Sequence, residues 1–226
     1  MQLALIYLLM AGIVLGILAV SSASADSRPV QPLSVINRTH VPTTTVERLE
    51  AALTVQVNAQ LDSFWYGRPH IEFVAPGTPG AWTITLVTGR NMVRNGYCGY
   101  HGPVVEGSRI RALGDVGGPR VVPGVTPFAV VGLSRQCDSG FAGTILPDAK
   151  RGWSIVFSHE VMEMMVDPWP GSFLINGQWP EVGDPVNGIG YQLLGVRVSD
   201  FVTPSYFWQG RGRYDKLGFL IPVTRF

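Results

Sequence analysis

The sequence predicts a single α+β domain in which a short mixed or antiparallel sheet packs against two main helices, with long Gly/Pro-rich loops between elements. Three observations carry that expectation. Apolar residues recur every three or four positions after Thr44; a second helical run spans 154–166; and short β-branched or aromatic runs stand between clusters of Gly and Pro.

Before the domain comes a leader. Residues 1–25 carry no charge, are almost wholly apolar through Val20, and end in Ser22, Ala23, Ser24 and Ala25, a small-residue pattern suited to signal-peptide cleavage before Asp26. The apolar run is also close to the length of a bilayer span, so an uncut N-terminal membrane anchor is the alternative. Residues 26–42, polar and proline-containing, read as a linker, and 43–226 as one globular domain. With 17 Lys and Arg against 16 Asp and Glu, the net charge of +1 provides no basic field for nucleic acid. Membrane contact is confined to the leader. A secreted or otherwise extracytoplasmic domain meets an oxidising compartment, so Cys98 and Cys137 are expected to form a disulfide worth on the order of 3 to 4 kcal/mol; two separate buried thiols are the alternative.

Thr44 and Glu47 have capping-box spacing, and Val46, Leu49, Leu53, Val57, Leu61 and Phe64 define the apolar stripe of the first helix, which should end near Gly67. Residues 71–75 and 81–87 are expected strands, joined as a hairpin through the turn at 76–80. The Gly/Pro-dense stretch 91–150 should hold short strands, at 121–122 and 128–133, between long loops. After the second helix, Asn176-Gly177 signals a hairpin, and 191–194 and 196–202 signal further strands.

The chemistry sits on the second helix. At 100° per residue, His159, Glu160, Glu163 and Asp167 fall on one arc, while Phe157, Val161, Met162, Met164 and Met165 fall on the other. His159 and Glu163, four residues apart, can reach one cation from a single turn, and Glu160 sits beside them as a general base would. This is the H-E-x-x-H zinc-helix geometry with Glu163 in place of the second His. A divalent metal is implied, zinc or a harder ion such as Mn²⁺, Mg²⁺ or Ca²⁺. The plain alternative is a solvated helix face, although three carboxylates without a Lys or Arg among them repel unless a cation lies between. A further ligand must come from elsewhere: Asp184 first, Glu181 second, with His101 as another nitrogen donor or charge stabiliser. No G-x-S-x-G elbow, phosphate-binding loop or C-x-x-C pair is present, and Ser158 cannot face His159 from the adjacent helical position.

The run Ser158-His159-Glu160-Val161-Met162-Glu163-Met164 with Asp167-Pro168, then Glu181-Val182-Gly183-Asp184-Pro185 and Val198-Ser199-Asp200-Phe201-Val202-Thr203-Pro204, resembles a family of largely uncharacterised microbial and phage proteins. Its mark is a zincin-like S-H-E-x-x-E-M-x-x-D-P helix. Where such relatives tend to carry Cys in E-x-C-D-P, this chain has Gly183. The resemblance implies a metalloprotease-like α+β fold with His159, Glu160, Glu163 and Asp184 around a cleft.

Two functions follow as expectations. The first is a secreted metal-dependent hydrolase acting on a peptide or protein, with His159, Glu163 and Asp184 as metal ligands and Glu160 as base. The second is a non-catalytic secreted binding or structural domain, for which Tyr206, Phe207 and Trp208 could form a contact patch unless they belong to the core.

Overall fold

The computed structural model describes residues 28–88, 98–103, 126–133, 152–170, 174–208 and 214–221. The leader, Cys137 and the short run at 121–122 lie outside them, and among the described residues no helix is long and apolar enough to cross a membrane. The architecture is α+β. A five-stranded mixed sheet runs in the order β2-β1-β3-β5-β4, from β1 (Val30–Asn37), β2 (His70–Val74), β3 (Trp82–Thr88), β4 (Gly99–Pro103) and β5 (Pro127–Leu133). Four strands are parallel and β4, at the edge, is antiparallel to β5.

The first correction concerns β1, which lies inside the stretch 26–42 expected to be a linker. It is an interior strand between β2 and β3. Proline is normally excluded from such a position because it cannot donate to the ladder. Pro32 is tolerated since it pairs only with Glu72 of β2; pairing with β3 begins one residue later, at Leu33 opposite Trp82.

That stagger also explains the second correction, the absence of a β2–β3 hairpin. β2 lies against residues 30–34 of β1 and β3 against residues 33–37, on opposite sides. The seven residues 75–81 therefore step across β1 at mid-strand without running back along it, and so avoid the dozen or more residues a parallel crossover usually needs. Alternation then places Ile84 and Leu86 of β3 beside Ala129 and Val131 of β5, all fully buried.

The first helix, α1 (Thr43–Val55), continues as a π-helical turn over Gln56–Leu61. Its buried stripe contains Val46, Leu49, Leu53, Val57 and Leu61, as the spacing predicts, whereas Phe64, expected to continue it, lies beyond the last helical turn and is exposed. No capping box forms: the helix starts earlier, with the carbonyl of Pro42 accepting from the N–H groups of Thr45 and Val46. The widened turn brings Gln56 and Asn58 into use. Gln56 Nε2 donates to the Ser199 carbonyl at 2.7 Å and the Tyr191 hydroxyl at 3.0 Å. Asn58 exchanges two hydrogen bonds with the main chain of Ile71, closing part of the outer side of β2 as another strand would.

The second helix, α2 (Trp153–Val166), packs between β4 and β5 on one side and the hairpin of β6 (Gly190–Leu193) and β7 (Val196–Ser199) on the other. The hairpin turns on Leu194 and Gly195, both at positive φ, the pattern of a two-residue type I′ turn. At 175–178 the Asn176-Gly177 turn closes a single bridge between Ile175 and Gln178. All fourteen residues of α2 are buried, so its polar arc is not a solvated face. Serines clamp it to β7: Ser154 Oγ donates to the Arg197 carbonyl at 2.6 Å, and Ser158 Oγ accepts from the Ser199 N–H at 2.6 Å. Of the aromatic trio, Tyr206 and Phe207 belong to the core, while Trp208 is exposed.

Ser158→Ala would leave the buried Ser199 N–H without an acceptor. The expected loss is about 1 to 3 kcal/mol of unfolding free energy. Urea denaturation should register it as a lower midpoint at unchanged slope.

Candidate metal centre

Three chain segments meet over the middle of α2. The helix supplies His159, Glu160 and Glu163. Strand β4 supplies His101, which shares a face with Gly99 because side chains two apart in a strand point the same way; Tyr100, on the opposite face, meets Phe128 edge-on at 5.9 Å. The loop ahead of the 3₁₀ turn Asp184–Val186 supplies Glu181 and Asp184, held down by buried Val182, whose carbonyl accepts from the Val202 N–H at 2.8 Å.

His159 Nε2 stands 3.1 Å from Glu163 Oε1 and 3.4 Å from Asp184 Oδ1. A tetrahedral ion with bonds of about 2.0 to 2.1 Å has ligand–ligand edges of about 3.3 to 3.4 Å, so each of these two carboxylates stands from the imidazole at about the length of one such edge. Glu163 Oε1 also accepts from the Gly183 N–H at 3.2 Å, which orients the carboxylate. On the β4 side, His101 Nδ1 lies 3.3 Å from Glu160 Oε2 and 3.5 Å from Glu163 Oε2, while its Nε2 lies 3.2 Å from the Asp167 carbonyl and 3.7 Å from Glu181 Oε2. Two His-and-carboxylate groups within metal-holding distance result: His159 with Glu160 and Glu163, and His101 with Glu163 and Glu181.

Burial decides between a wet surface and a site. His159, Glu160 and Glu163 are 7 %, 5 % and 3 % exposed, whereas the Asp184 side chain is 55 % exposed, so the cluster opens toward Asp184. Among the described residues, the ion-pair partners of Glu160, Glu163, Glu181 and Asp184 are the two histidines. Asp167, fully buried at the helix end, instead faces the charge of Arg68, and its carbonyl holds His101. Ser158 points away, into β7. Cys98 packs against the core at the start of β4, and its expected partner Cys137 lies outside the described residues.

Two glycines complete the site without having been singled out for it by motif. A Cβ on Gly99 would come within 2.6 Å of Val156 Cγ1 and overlap Glu160; one on Gly183 would come within 2.8 Å of the His159 ring. The faint signal was positional: one glycine stands two residues before His101, the other between Glu181 and Asp184. Gly183 therefore leaves space that the His159 ring fills. Away from this centre, a cleft of about 340 Å³ opens beside α1, with Glu47 and Glu50 but no imidazole.

Crowding controls protonation. Burial alone lowers the His101 pKa, but its hydrogen bond to Glu160 and the charges of Glu163 and Glu181 outweigh burial and raise it from 6.5 to about 9. For His159 burial is again outweighed, here by Glu163 and Asp184, and the pKa rises well above the ordinary value. Burial, followed by repulsion from Glu163, raises Glu181 from 4.5 to about 9, and burial raises Glu160. A folded state that keeps protons which the unfolded chain has released loses stability as pH rises. For Glu181 that contribution is fully present below pH 4.5, for His101 below pH 6.5, and both are lost toward pH 9. Calorimetry on chelator-treated protein should therefore give an unfolding midpoint that falls as pH rises from about 5 to 9. Saturating divalent cation should reverse the slope, because coordination requires the deprotonated ligands.

Comparison with protein-family models, with curated proteins and with solved structures returns no match for this chain.

Proposed function

We propose that this chain is an extracytoplasmic metal-dependent hydrolase of the peptidase type, built on a zincin-like scaffold. His159, Glu163 and Asp184 hold a divalent cation, zinc in the first instance, and Glu160 is the general base. The observation that carries the proposal is the meeting of Glu163 and Asp184 at one nitrogen of His159, at coordination spacing, within a buried helix that also presents Glu160. Burial also favours catalysis over a non-catalytic binding domain. Charges left unpaired in a core are costly, and a merely wetted arc would not be covered by a strand and a loop. The proposal includes export through residues 1–25 and the Cys98–Cys137 disulfide.

A divalent cation so bound supplies Lewis acidity toward a carbonyl oxygen and toward water. Glu160, one helical position from His159 and hydrogen-bonded to His101, is placed to take a proton from an attacking water and return it to the leaving amine. Burial favours its holding that proton between the two steps. His101, fixed from behind by the Asp167 carbonyl, restrains the Glu160 carboxylate. The exposed Asp184 side gives a peptide its approach to these groups.

Metal analysis of the purified protein should find tightly bound divalent cation, absent from the His159→Ala, Glu163→Ala double variant; equally negligible metal in both would end the proposal. Glu160→Gln should retain metal and lose turnover of a peptide library by about 10² to 10⁴-fold, and unchanged turnover would remove Glu160 from its role.

The glycines should separate the two tasks. Gly183→Ala displaces the His159 ring and should weaken metal affinity by about 10 to 100-fold in calorimetric titration, the range seen when a ligand loses its orientation. Gly99→Ala displaces Glu160 and should depress turnover while metal content is kept.

A further inference from the structure

The donor arrangement has more capacity than one cation uses. Glu163 offers its two carboxylate oxygens in opposite directions, Oε1 to His159 at 3.1 Å and Oε2 to His101 at 3.5 Å. Glu163 belongs to two groups, one with His159 and Glu160 and one with His101 and Glu181, in each of which the donor atoms lie within 4.8 Å of one another. We propose that the centre is dinuclear: a second divalent cation is held by His101, Glu163 Oε2 and Glu181, and Glu163 bridges it to the first. This extends the single-ion reading above and rests on it.

Three independent observations point to the second ion. His101 is oriented as a ligand is: an Nε2–H donates to the Asp167 carbonyl at 3.2 Å, with Glu181 Oε2 3.7 Å from the same nitrogen, and Nδ1, 3.3 Å from Glu160 and 3.5 Å from Glu163, is the nitrogen a cation would take in place of the hydrogen bond to Glu160. A back-side carbonyl of this kind commonly sets the tautomer of a metal-bound imidazole. Glu181 Oε2 is buried with no hydrogen-bond partner, although it stands at the edge of the cluster. An unpaired buried acceptor is costly, and a cation is the partner it lacks.

Charge supplies the third argument. Glu160, Glu163, Glu181 and Asp184 bring four negative charges when ionised, and among the described residues only histidines pair with them. A ligating imidazole is neutral, so one divalent ion beside a protonated His101 balances three of the four charges when all are ionised, although Glu160, Glu163 and Glu181 are largely buried. Two divalent ions balance the four carboxylates. Paired ions bridged by carboxylate also belong to a known mode of hydrolytic catalysis, in which the attacking and departing atoms are each stabilised.

The test is stoichiometric. Full-length mature protein is stripped with chelator, reloaded with Zn²⁺ or Mn²⁺, desalted, and assayed for metal per chain by mass spectrometry. Two ions are expected in the parent protein, one in Glu181→Gln and in His101→Gln, and none in Glu163→Gln. Reloading with Mn²⁺ should give the exchange-coupled paramagnetic resonance spectrum of a bridged pair. One ion per chain in the parent protein would overturn the dinuclear centre and leave the single-ion proposal standing; no ion would overturn both. Two ions that persist in both Glu181→Gln and His101→Gln, or two uncoupled Mn²⁺ signals, would likewise overturn the assignment. Far-UV circular dichroism establishes that each variant is folded, and the parent stoichiometry and coupling decide the matter where a variant is not.

Discussion

The burial of ionisable side chains along α2 is the constraint around which the rest of the molecule is arranged. A helix with His159, Glu160 and Glu163 in its middle would ordinarily turn that arc to water. Here every residue of the helix is buried, and the desolvation cost of those charges has to be offset by partners close at hand. His101 arrives from a strand, Asp184 and Glu181 from a loop, and serines on the helix's other side fasten it to β7.

The sheet reaches the candidate metal centre through its edge. Antiparallel β4 lies beside α2 and delivers Gly99 and His101 to the same face, the first by having no side chain and the second by having the right one. The loop at 181–186 does the equivalent from the opposite direction with Gly183 and Asp184. Two backbones thus approach one helix closely enough that a methyl group at either glycine would collide with Glu160 or with the His159 ring. Precision at the centre comes from this close packing, and the polar contacts then complete it.

Much of this was legible in the sequence, and the reasons for the remainder are specific. The i, i+4 relation of His159 and Glu163, the apolar stripe of α1, the alternation of β3 and the type I′ signal at Asn176-Gly177 are local patterns, and local patterns survive folding. The environment of α2 is not local: the same spacing describes a wetted face and a buried one, and only the covering segments distinguish them. Strand β1 was hidden because Pro32, Gln31, Ser34 and Asn37 obscure its alternation, and because the stagger that tolerates Pro32 depends on two strands more than thirty residues away. Likewise the expected β2–β3 hairpin was a sound inference from a short Pro/Gly turn; the offset of the two strands along β1 is a tertiary fact. His101 could be named as a candidate, but its contact with Glu160 follows from the pairing of β4 with β5, a relation no spacing encodes.

That pairing has a consequence for how the molecule comes together during synthesis. Translation delivers the chain from its N-terminus, so β1 is already made when β2 and β3 emerge, and each finds its template waiting. β4 does not: its neighbour in the sheet is β5, which is made later, and the helix it covers is made later still. The segment bearing His101 is therefore made more than twenty residues ahead of the strand it pairs with, and the charged centre closes only after the apolar sheet around it can exist.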